Sequence, residues 1–439
     1  MADWRRQAAS AIADYVAQEI GLHPGAHYRI REMCDGPRVL AMHIIVNPRY
    51  ANKIMGMAQQ LSMAAGLDKE ANIRVDRGRG GALALEIPKP ATLWYNVAIT
   101  SLPKRGGLRA TVGLDNEHRP TLLDFANPLT PHLLVAGGTG TGKTNAQRLF
   151  VYDIASQNEP GAAGFVLIDT RKRGNGWRPF EHLPHLLHPV IIDDATALKA
   201  LGWAVGEIDR RAQSGQKRPQ VFIGIDEVQA LLNRGDTFVE PVVDIAAAGR
   251  EFGIHLLAAT QDPTSKHLGT VTIKRNMARL VGKVDDATAA HVATGKEGSG
   301  AHLLRGPGDM LLVTDEVKRV TAALLTERDT ARLPHVESVG VLDLAEYEDI
   351  EHVLDQADNQ GKADPLEPAH VAYALAYPEA SQRALYDRFN IGFPKIKRVQ
   401  AFAQDVLAEL EKLGFSLCNA PHSGCNGATG ATDGNGRSA

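Results

Sequence analysis

A chain of 439 residues, 44% hydrophobic and 23% charged, has material for two or three cored domains and the composition of a soluble globular protein. Its net charge of -3 excludes recognition of an acidic partner by overall charge, so a nucleic acid would have to be met by local basic patches. No apolar run is long enough to span a bilayer, the N-terminus lacks the apolar core of a signal peptide, and three cysteines cannot make a disulfide framework, which together give the expectation of a cytoplasmic protein.

Residues 1–30 are expected as an N-terminal helix, with Ala8, Ile12, Tyr15, Val16 and Ile20 at helical spacing. Residues 31–112 read as a small α+β domain. Its strand "GPRVLAMHIIV" precedes a helix "YANKIMGMAQQLSMAAG" and two strands, "NIRVDRG" and "ALALEIP", around a glycine turn. From 113 to 333 short apolar runs alternate with helical segments: "HLLVAG", a helix from Lys143, "GFVLID", a helix Thr196 to Gln213, "VFIGIDE", a helix Val239 to Phe252, "HLLAATQ", "RLVGKV" and "DMLLV". Continuous apolar strands between helices predict an α/β fold with a mainly parallel sheet covered on both faces. An acidic linker is expected over 334–366, a helical module over 367–417 and a flexible Gly-rich tail over 418–439. Cys418, His422 and Cys425 cluster near that tail but lack a fourth ligand and a firm turn, so no metal site is expected of them.

The stretch Gly137, Gly138, Thr139, Gly140, Thr141, Gly142, Lys143, Thr144, Asn145 fits G-x-x-x-x-G-K-[ST] between a predicted strand and a predicted helix, the context that separates this motif from a chance glycine turn. Glycines let backbone N–H groups turn onto a polyphosphate, and the following helix N-terminus adds its partial positive charge. ATP with Mg²⁺ is the expected cofactor: Lys143 reaches the β- and γ-phosphates, and the Thr144 hydroxyl holds the metal. "VFIGIDE" ends a buried strand in two carboxylates. Asp226 would complete the metal shell, and Glu227 would polarise the attacking water. Gln261, ending "HLLAATQ", is a candidate γ-phosphate sensor, with a structural glutamine as the alternative. Phosphoryl transfer also calls for a cation at the transition state. Arg250 in "AAAGREFGIH" is the first candidate and Arg279 in "NMARLVG" the second, either of which could instead be a structural ion pair.

The C-terminal segment "ASQRALYDRFNIGFPKIKRVQAFAQDVLAELEKLGF" reads as helix-turn-helix. Ser381 caps the first helix and Pro394 opens the second, whose residues Ile396, Val399, Ala403, Val406, Leu410 and Leu413 make one apolar stripe. Basic residues gather at the start of the second helix, where recognition helices touch DNA, so Lys395, Lys397 and Arg398 are DNA-binding candidates. A helical hairpin that merely packs on the preceding domain is the competing reading, and no β-hairpin wing is evident after Phe415.

Together these segments resemble the motor part of the FtsK/SpoIIIE family of double-stranded DNA translocases. "TPHLLVAGGTGTGKT" is similar to the family's phosphate-loop stretch, "GFVLIDTRKRG" stands where the family has Ile-Asp-Pro-Lys, and "HLPHLL" follows at the expected place. "AAAGREFGIHLLAATQDPT" and "GPGDMLL" resemble further family segments, and "GPRV" with "ALALEIP" matches the small domain before the motor. The likeness spans roughly Gly36 to Val313. It implies a RecA-like P-loop ATPase in a homo-hexameric ring around double-stranded DNA. ATP sites would lie at subunit boundaries, with Arg250 acting in trans and Gln261 sensing the γ-phosphate. The last segment resembles the small winged-helix module that ends many such translocases and reads orienting sequences.

Two departures stand out: Asp169-Thr170-Arg171-Lys172 replaces the Asp-Pro-Lys motif, and Asp262 follows Ala-Thr-Gln where the family usually has Arg. A membrane-spanning N-terminal region of the cell-division members is not in the sequence. The expectation is therefore a cytoplasmic motor of a phage, plasmid or integrative element with no membrane segment of its own. Candidate residues for gripping DNA phosphates in the ring are Arg171, Lys172, Arg173, Lys266, Lys274 and Arg275, with plain surface charge as the alternative. A HerA-like or single-stranded-DNA-pumping ATPase and a nucleotide-switched DNA-binding regulator are the rival functions. Strand preference and turnover rate separate them from a duplex motor.

Overall fold

The computed structural model describes residues 2–68, 71–262 and 277–345. The chain divides into Met1–Asp358 and Asn359–Ala439, and every described residue lies in the first unit. The expected helix-turn-helix with Lys395, Lys397 and Arg398, the cysteine cluster, and Lys266, Lys274 and Arg275 lie outside the described residues.

Among the described residues the chain builds two sheets. The smaller is antiparallel, β1 (Tyr28–Asp35), β2 (Val39–Val46), β3 (Arg74–Arg77) and β4 (Leu83–Pro88) in the order β1-β2-β4-β3. Helix α1 (Ala2–Ile20) buries Ala8, Ile12 and Val16 against Leu40, Met42, Ile44, Leu83 and Leu85, the single face that i, i+4 spacing predicts. The N-terminal helix therefore shares a core with this sheet. The stretch expected as one helix is two, α2 (Pro48–Met55) and α3 (Ala58–Ala64), because the chain breaks at Gly56 and Met57. β1 went unpredicted because most of its side chains are exposed, leaving no apolar alternation to read.

The larger sheet runs β6 (Pro120–Asp124), β5 (Arg109–Asp115), β13 (Val317–Ala322), β12 (Asp309–Val313), β11 (Met277–Val281), β7 (His132–Ala136), β10 (Ile254–Thr260), β9 (Gln220–Ile225), β8 (Ala163–Ile168). From β11 to β8 every pairing is parallel, and from β6 to β11 every pairing is antiparallel. The expected domain boundary between residues 112 and 113 falls inside β5, which belongs to this sheet.

Alternate residues of the parallel strands face opposite cores, as the pleat requires. Leu133, Val135, Phe165, Leu167, Phe222, Leu257 and Ala259 meet α4 (Lys143–Ala155) on one side. Leu134, Val166, Ile168, Val221, Ile223, Ile225, Leu256 and Ala258 meet α5 (Asp194–Ser214), α6 (Val228–Leu232) and α7 (Asp236–Ala248) on the other. Burial on both faces explains the unbroken apolar runs in the sequence. The predicted helix to Phe252 ends earlier, at Ala248, and continues as a 3-10 turn over Gly249–Phe252. The start of the expected acidic linker is packed rather than free: the Val336 N–H donates to His182 O (2.9 Å), and Val339, Leu342 and Leu344 lie against the two cores.

A buried ion cluster joins the two sheets. Arg319 on β13 donates to Asp309 Oδ1 (2.9 Å) and Oδ2 (2.7 Å) on β12, and to Glu86 Oε2 (3.1 Å) on β4. Arg319→Met leaves buried Asp309 without its paired cation and Glu86 with only the more distant Arg74 (3.8 Å), and is expected to cost about 3–5 kcal/mol. Urea unfolding checks this; a loss under about 1 kcal/mol would show that water reaches the cluster.

Two of the buried histidines, His132 and His255, lie side by side. His132 Nδ1 accepts the Leu256 N–H (3.0 Å), and His255 lies stacked on Phe222 with Nδ1 2.8 Å from Pro131 O. Burial pushes His132 down to about 3, assisted by the neighbouring His255, and pushes His255 down to about 4, both from an ordinary 6.5. Below pH 6.5 the unfolded chain takes up protons that the folded chain refuses. The stability these neutral rings contribute is whole above that pH and is lost as the pH falls toward 4. The expected loss by pH 5 is up to about 2 kcal/mol for each ring. Denaturant midpoints that stay level from pH 8 to pH 5 would contradict it.

Candidate nucleotide site

The loop between β7 and α4 carries the Gly-Lys-Thr stretch. Gly142 caps α4 with φ 96, and a side chain there would stand 3.1 Å from the Gly308 N–H, so glycine is required on both counts. Thr141 is a clamp, its Oγ1 donating to Gly138 O (2.8 Å) and its carbonyl accepting the Gly308 N–H (2.9 Å). Lys143 folds over the loop, Nζ donating to Gly138 O (2.7 Å). Burial lowers the Lys143 ammonium below the usual lysine range and Lys172 adds to that, while the Glu227 and Asp226 carboxylates draw it back up. The charges expected to meet a phosphate–metal pair thus act on one another. Asn145, counted with the loop, faces elsewhere: Nδ2 donates to Ala323 O (2.8 Å), and Oδ1 accepts the Leu325 N–H (3.0 Å). It ties α4 to the chain after β13 and does not join the phosphate cradle.

The two carboxylates stand at the C-terminal end of β9, which is separated from β7 by β10 rather than adjacent to it. Both are buried, Asp226 to 5% and Glu227 to 4% exposure. Glu227 takes φ 66 and ψ 61, a left-handed conformation that costs a non-glycine residue about 1–3 kcal/mol and tends to occur at functional sites. The Glu227 carboxylate reaches across the intervening strand end: Oε1 accepts the Gln261 N–H (3.1 Å), and Thr139 of the phosphate loop donates to Gln261 Oε1 (3.1 Å). Gln261 is exposed and bridges the carboxylate to the phosphate loop, the position a γ-phosphate sensor needs; the alternative of a buried structural glutamine does not hold. Gln147, which the sequence reading missed, is the buried structural amide here. From α4 its Nε2 donates to Ile225 O (3.0 Å) at the end of β9 and to Leu257 O (2.9 Å) in the middle of β10, tying the helix to both strands. A polar residue on the apolar face of a helix was the available signal.

Lys172, an exposed residue expected to grip DNA, also reaches the site, placing Nζ 2.8 Å from Asp226 Oδ2. Arg171 and Arg173 are exposed beside it. The oxygen donors, a buried carboxylate and the Thr144 hydroxyl, suit a hard divalent cation such as Mg²⁺, and the Lys172 ammonium already marks a cation position on Asp226. Among the described residues no three His, Cys, Asp or Glu side chains gather as a metal cage. Asp226 and Thr144 would hold such a metal, whose chemistry there is charge neutralisation on the phosphates. Glu227 would orient and deprotonate water.

The two arginine candidates differ in setting. Arg279 is partly buried on β11, its Nη1 donating to Ala293 O (3.4 Å) in α8 (Ala287–Thr294). Arg250 lies just before β10, at the end opposite the phosphate loop, with 46% of its side chain exposed and Nη1 donating to Pro128 O (3.0 Å).

Residues 101–214 match the model of the FtsK/SpoIIIE family. The chain is 26% identical over 417 residues to the DNA translocase FtsK of Lactiplantibacillus plantarum, covering 85% of this chain and 51% of that protein. It is 27% identical over 403 residues to the DNA translocase SftA of Bacillus subtilis (83% and 41%), and 29% identical over 360 residues to the DNA translocase FtsK of Borreliella burgdorferi (74% and 45%). The chain thus spans about half the length of these relatives or somewhat less. No described helix is long and apolar enough to cross a membrane. Asp226, Glu227, Arg250 and Gln261 lie beyond the matched segment and are placed by the geometry above. With the phosphate loop, the carboxylate pair on the third parallel strand and this run of relatives, the chain is similar to the P-loop ATPases of the FtsK/SpoIIIE family.

Proposed function

We propose that the chain is an ATP-driven motor on double-stranded DNA that works as a homo-hexameric ring. The observation carrying this is the joining of Lys143, Asp226, Glu227 and Gln261 at one edge of the parallel sheet, with Glu227 tied through Gln261 to the phosphate loop. A carboxylate so placed serves turnover, which a switch that merely binds ATP does not need. The relatives named for DNA translocation supply the substrate class. A ring is supported by Arg250. β10 separates it from its own phosphate loop by about 20 Å at strand rise, which fits a role at a neighbour's site rather than its own. Lys143 would hold the phosphates, Thr144 and Asp226 the Mg²⁺, Glu227 the water, Gln261 the γ-phosphate, and Arg250 the transition-state charge of the adjacent subunit. Exposed Arg171, Lys172 and Arg173 remain candidates for phosphate contact, with Lys172 also paired to Asp226. The helical module over 367–417, with Lys395, Lys397 and Arg398, would govern where the motor loads or which way it faces.

The test is ATP hydrolysis with duplex and with single-stranded DNA, alongside electron microscopy with a non-hydrolysable analogue and duplex. Duplex-stimulated turnover and six-membered rings threaded by DNA are expected. Stimulation by single strands alone would favour a single-strand pump, and slow turnover indifferent to DNA would favour a regulator.

A further inference from the structure

The loop following β8 is pressed onto the nucleotide site by its backbone. Asp169, buried at the end of the strand, accepts the Lys172 N–H on Oδ1 (2.8 Å) and the Gly176 N–H on Oδ2 (2.8 Å). Arg148, on the helix that begins at the phosphate loop, donates to Gly176 O (2.6 Å) and Asn175 O (2.8 Å). The approach is so close that a side chain at Gly176 would stand 2.5 Å from Asp226 Oδ2. This anchoring brings Lys172 Nζ to 2.8 Å from the same oxygen. The neighbours of Lys172 face outward. Arg171 and Arg173 line an open cavity of about 590 Å³ together with Arg234, which is paired to Asp194 (2.9 Å) at the start of α5.

We propose that Lys172 is a positioning residue that competes with the divalent cation for Asp226, and that its release frees the loop carrying Arg171 and Arg173. This rests on reading the site as a metal–nucleotide site. Asp226 is buried and needs a cation beside it. The Lys172 ammonium and a divalent ion cannot share one carboxylate oxygen, because each repels the other at close range in a poorly screened site. Lys172 therefore leaves Asp226 Oδ2 when a divalent cation takes that oxygen. One side contact of the loop is then gone, while Asp169 still holds the Lys172 and Gly176 N–H groups and Arg148 the Asn175 and Gly176 carbonyls, so the freedom gained is that of the outward side chains. The two outward arginines gain freedom only when the site is charged with metal and nucleotide. Such a link would make contact with a polyanion depend on the state of the ATP site without any long relay.

Two consequences are measurable apart from catalysis. Removing the competing ammonium lowers the cation concentration needed to hold nucleotide, and loading the site exposes the loop. The experiment titrates Mg²⁺ against binding of a fluorescent non-hydrolysable ATP analogue in the full chain, for the wild type, Lys172→Gln and Lys172→Arg. Trypsin cleavage after Arg171, Lys172 or Arg173 is followed in the wild type with analogue plus Mg²⁺ and with analogue plus chelator. Lys172→Gln is expected to reach half-saturation at roughly tenfold less Mg²⁺, a free-energy difference of about 1.4 kcal/mol. Lys172→Arg, which keeps the cation, should stay near the wild type, and cleavage in the loop should speed up with Mg²⁺. If the wild type needs Mg²⁺ but Lys172→Gln shows the same midpoint, the competition is absent and the proposal falls alone. Should Lys172→Gln fail to fold, equal loop cleavage with and without Mg²⁺ in the wild type overturns it and faster cleavage with Mg²⁺ supports it. If the wild type binds the analogue with no dependence on Mg²⁺, the metal-site reading falls and this proposal with it.

Discussion

Glu227→Gln lowers ATP turnover by about 10²–10⁴-fold, the range a positioned general base contributes, while nucleotide binding and the fold persist. The geometry separates these two outcomes. The glutamine is isosteric, and its carbonyl oxygen can still accept the Gln261 N–H that Glu227 Oε1 now accepts at 3.1 Å, so the link to the phosphate loop survives. What it cannot do is take a proton from water. Lys143→Ala should also stop turnover, but by weakening the hold on the phosphates, since Lys143 bonds only within its own loop and supports no core. Phosphate release with fluorescent nucleotide binding measures both. A Glu227→Gln chain that hydrolyses ATP at the wild-type rate means the base lies elsewhere.

Arg250→Ala is expected to lower DNA-stimulated turnover by about 10³-fold or more, the scale of a transition-state arginine supplied by a neighbour. Inside its own subunit Arg250 donates to Pro128 O and stands 3.9 Å from the Glu251 carboxylate, both near the surface, so its loss should leave stability little changed. The trans assignment has a signature. Mixing Arg250→Ala chains with Lys143→Ala chains creates interfaces in which one partner gives an intact finger and the other an intact phosphate loop, and turnover should partly return. No recovery at any ratio, with assembly confirmed, would rule out a simple trans finger. Arg279 is the weaker candidate, because it is partly buried on β11 whereas 46% of the Arg250 side chain is exposed.

The sequence was most legible where chemistry fixes spacing along the chain. Backbone wrapping of a phosphate demands glycines at set positions before Lys-Thr, and a strand that ends beside it in Asp-Glu leaves a local mark. The parallel block was legible for a similar reason, since burial on both faces forces unbroken apolar runs. Features made by distant segments left no such mark. Nothing around Lys172 says that its ammonium meets a carboxylate 54 positions later, so it read as one more surface charge. Arg319 with Asp309 and Glu86, Asn145 with residues 323–325, and the packed start of the acidic segment share that origin. β1 escaped because an exposed edge strand carries no apolar period, and the left-handed turn at Glu227 because glutamate is not a residue that announces one.

The central claim is that turnover at this site moves the chain along duplex DNA, and displacement of a third strand from a triplex on that duplex tests it most directly. The wild type should strip the third strand with ATP and not with a non-hydrolysable analogue, and Glu227→Gln should not strip it at all. Duplex-stimulated hydrolysis without displacement, or displacement by Glu227→Gln at the wild-type rate, would contradict the account.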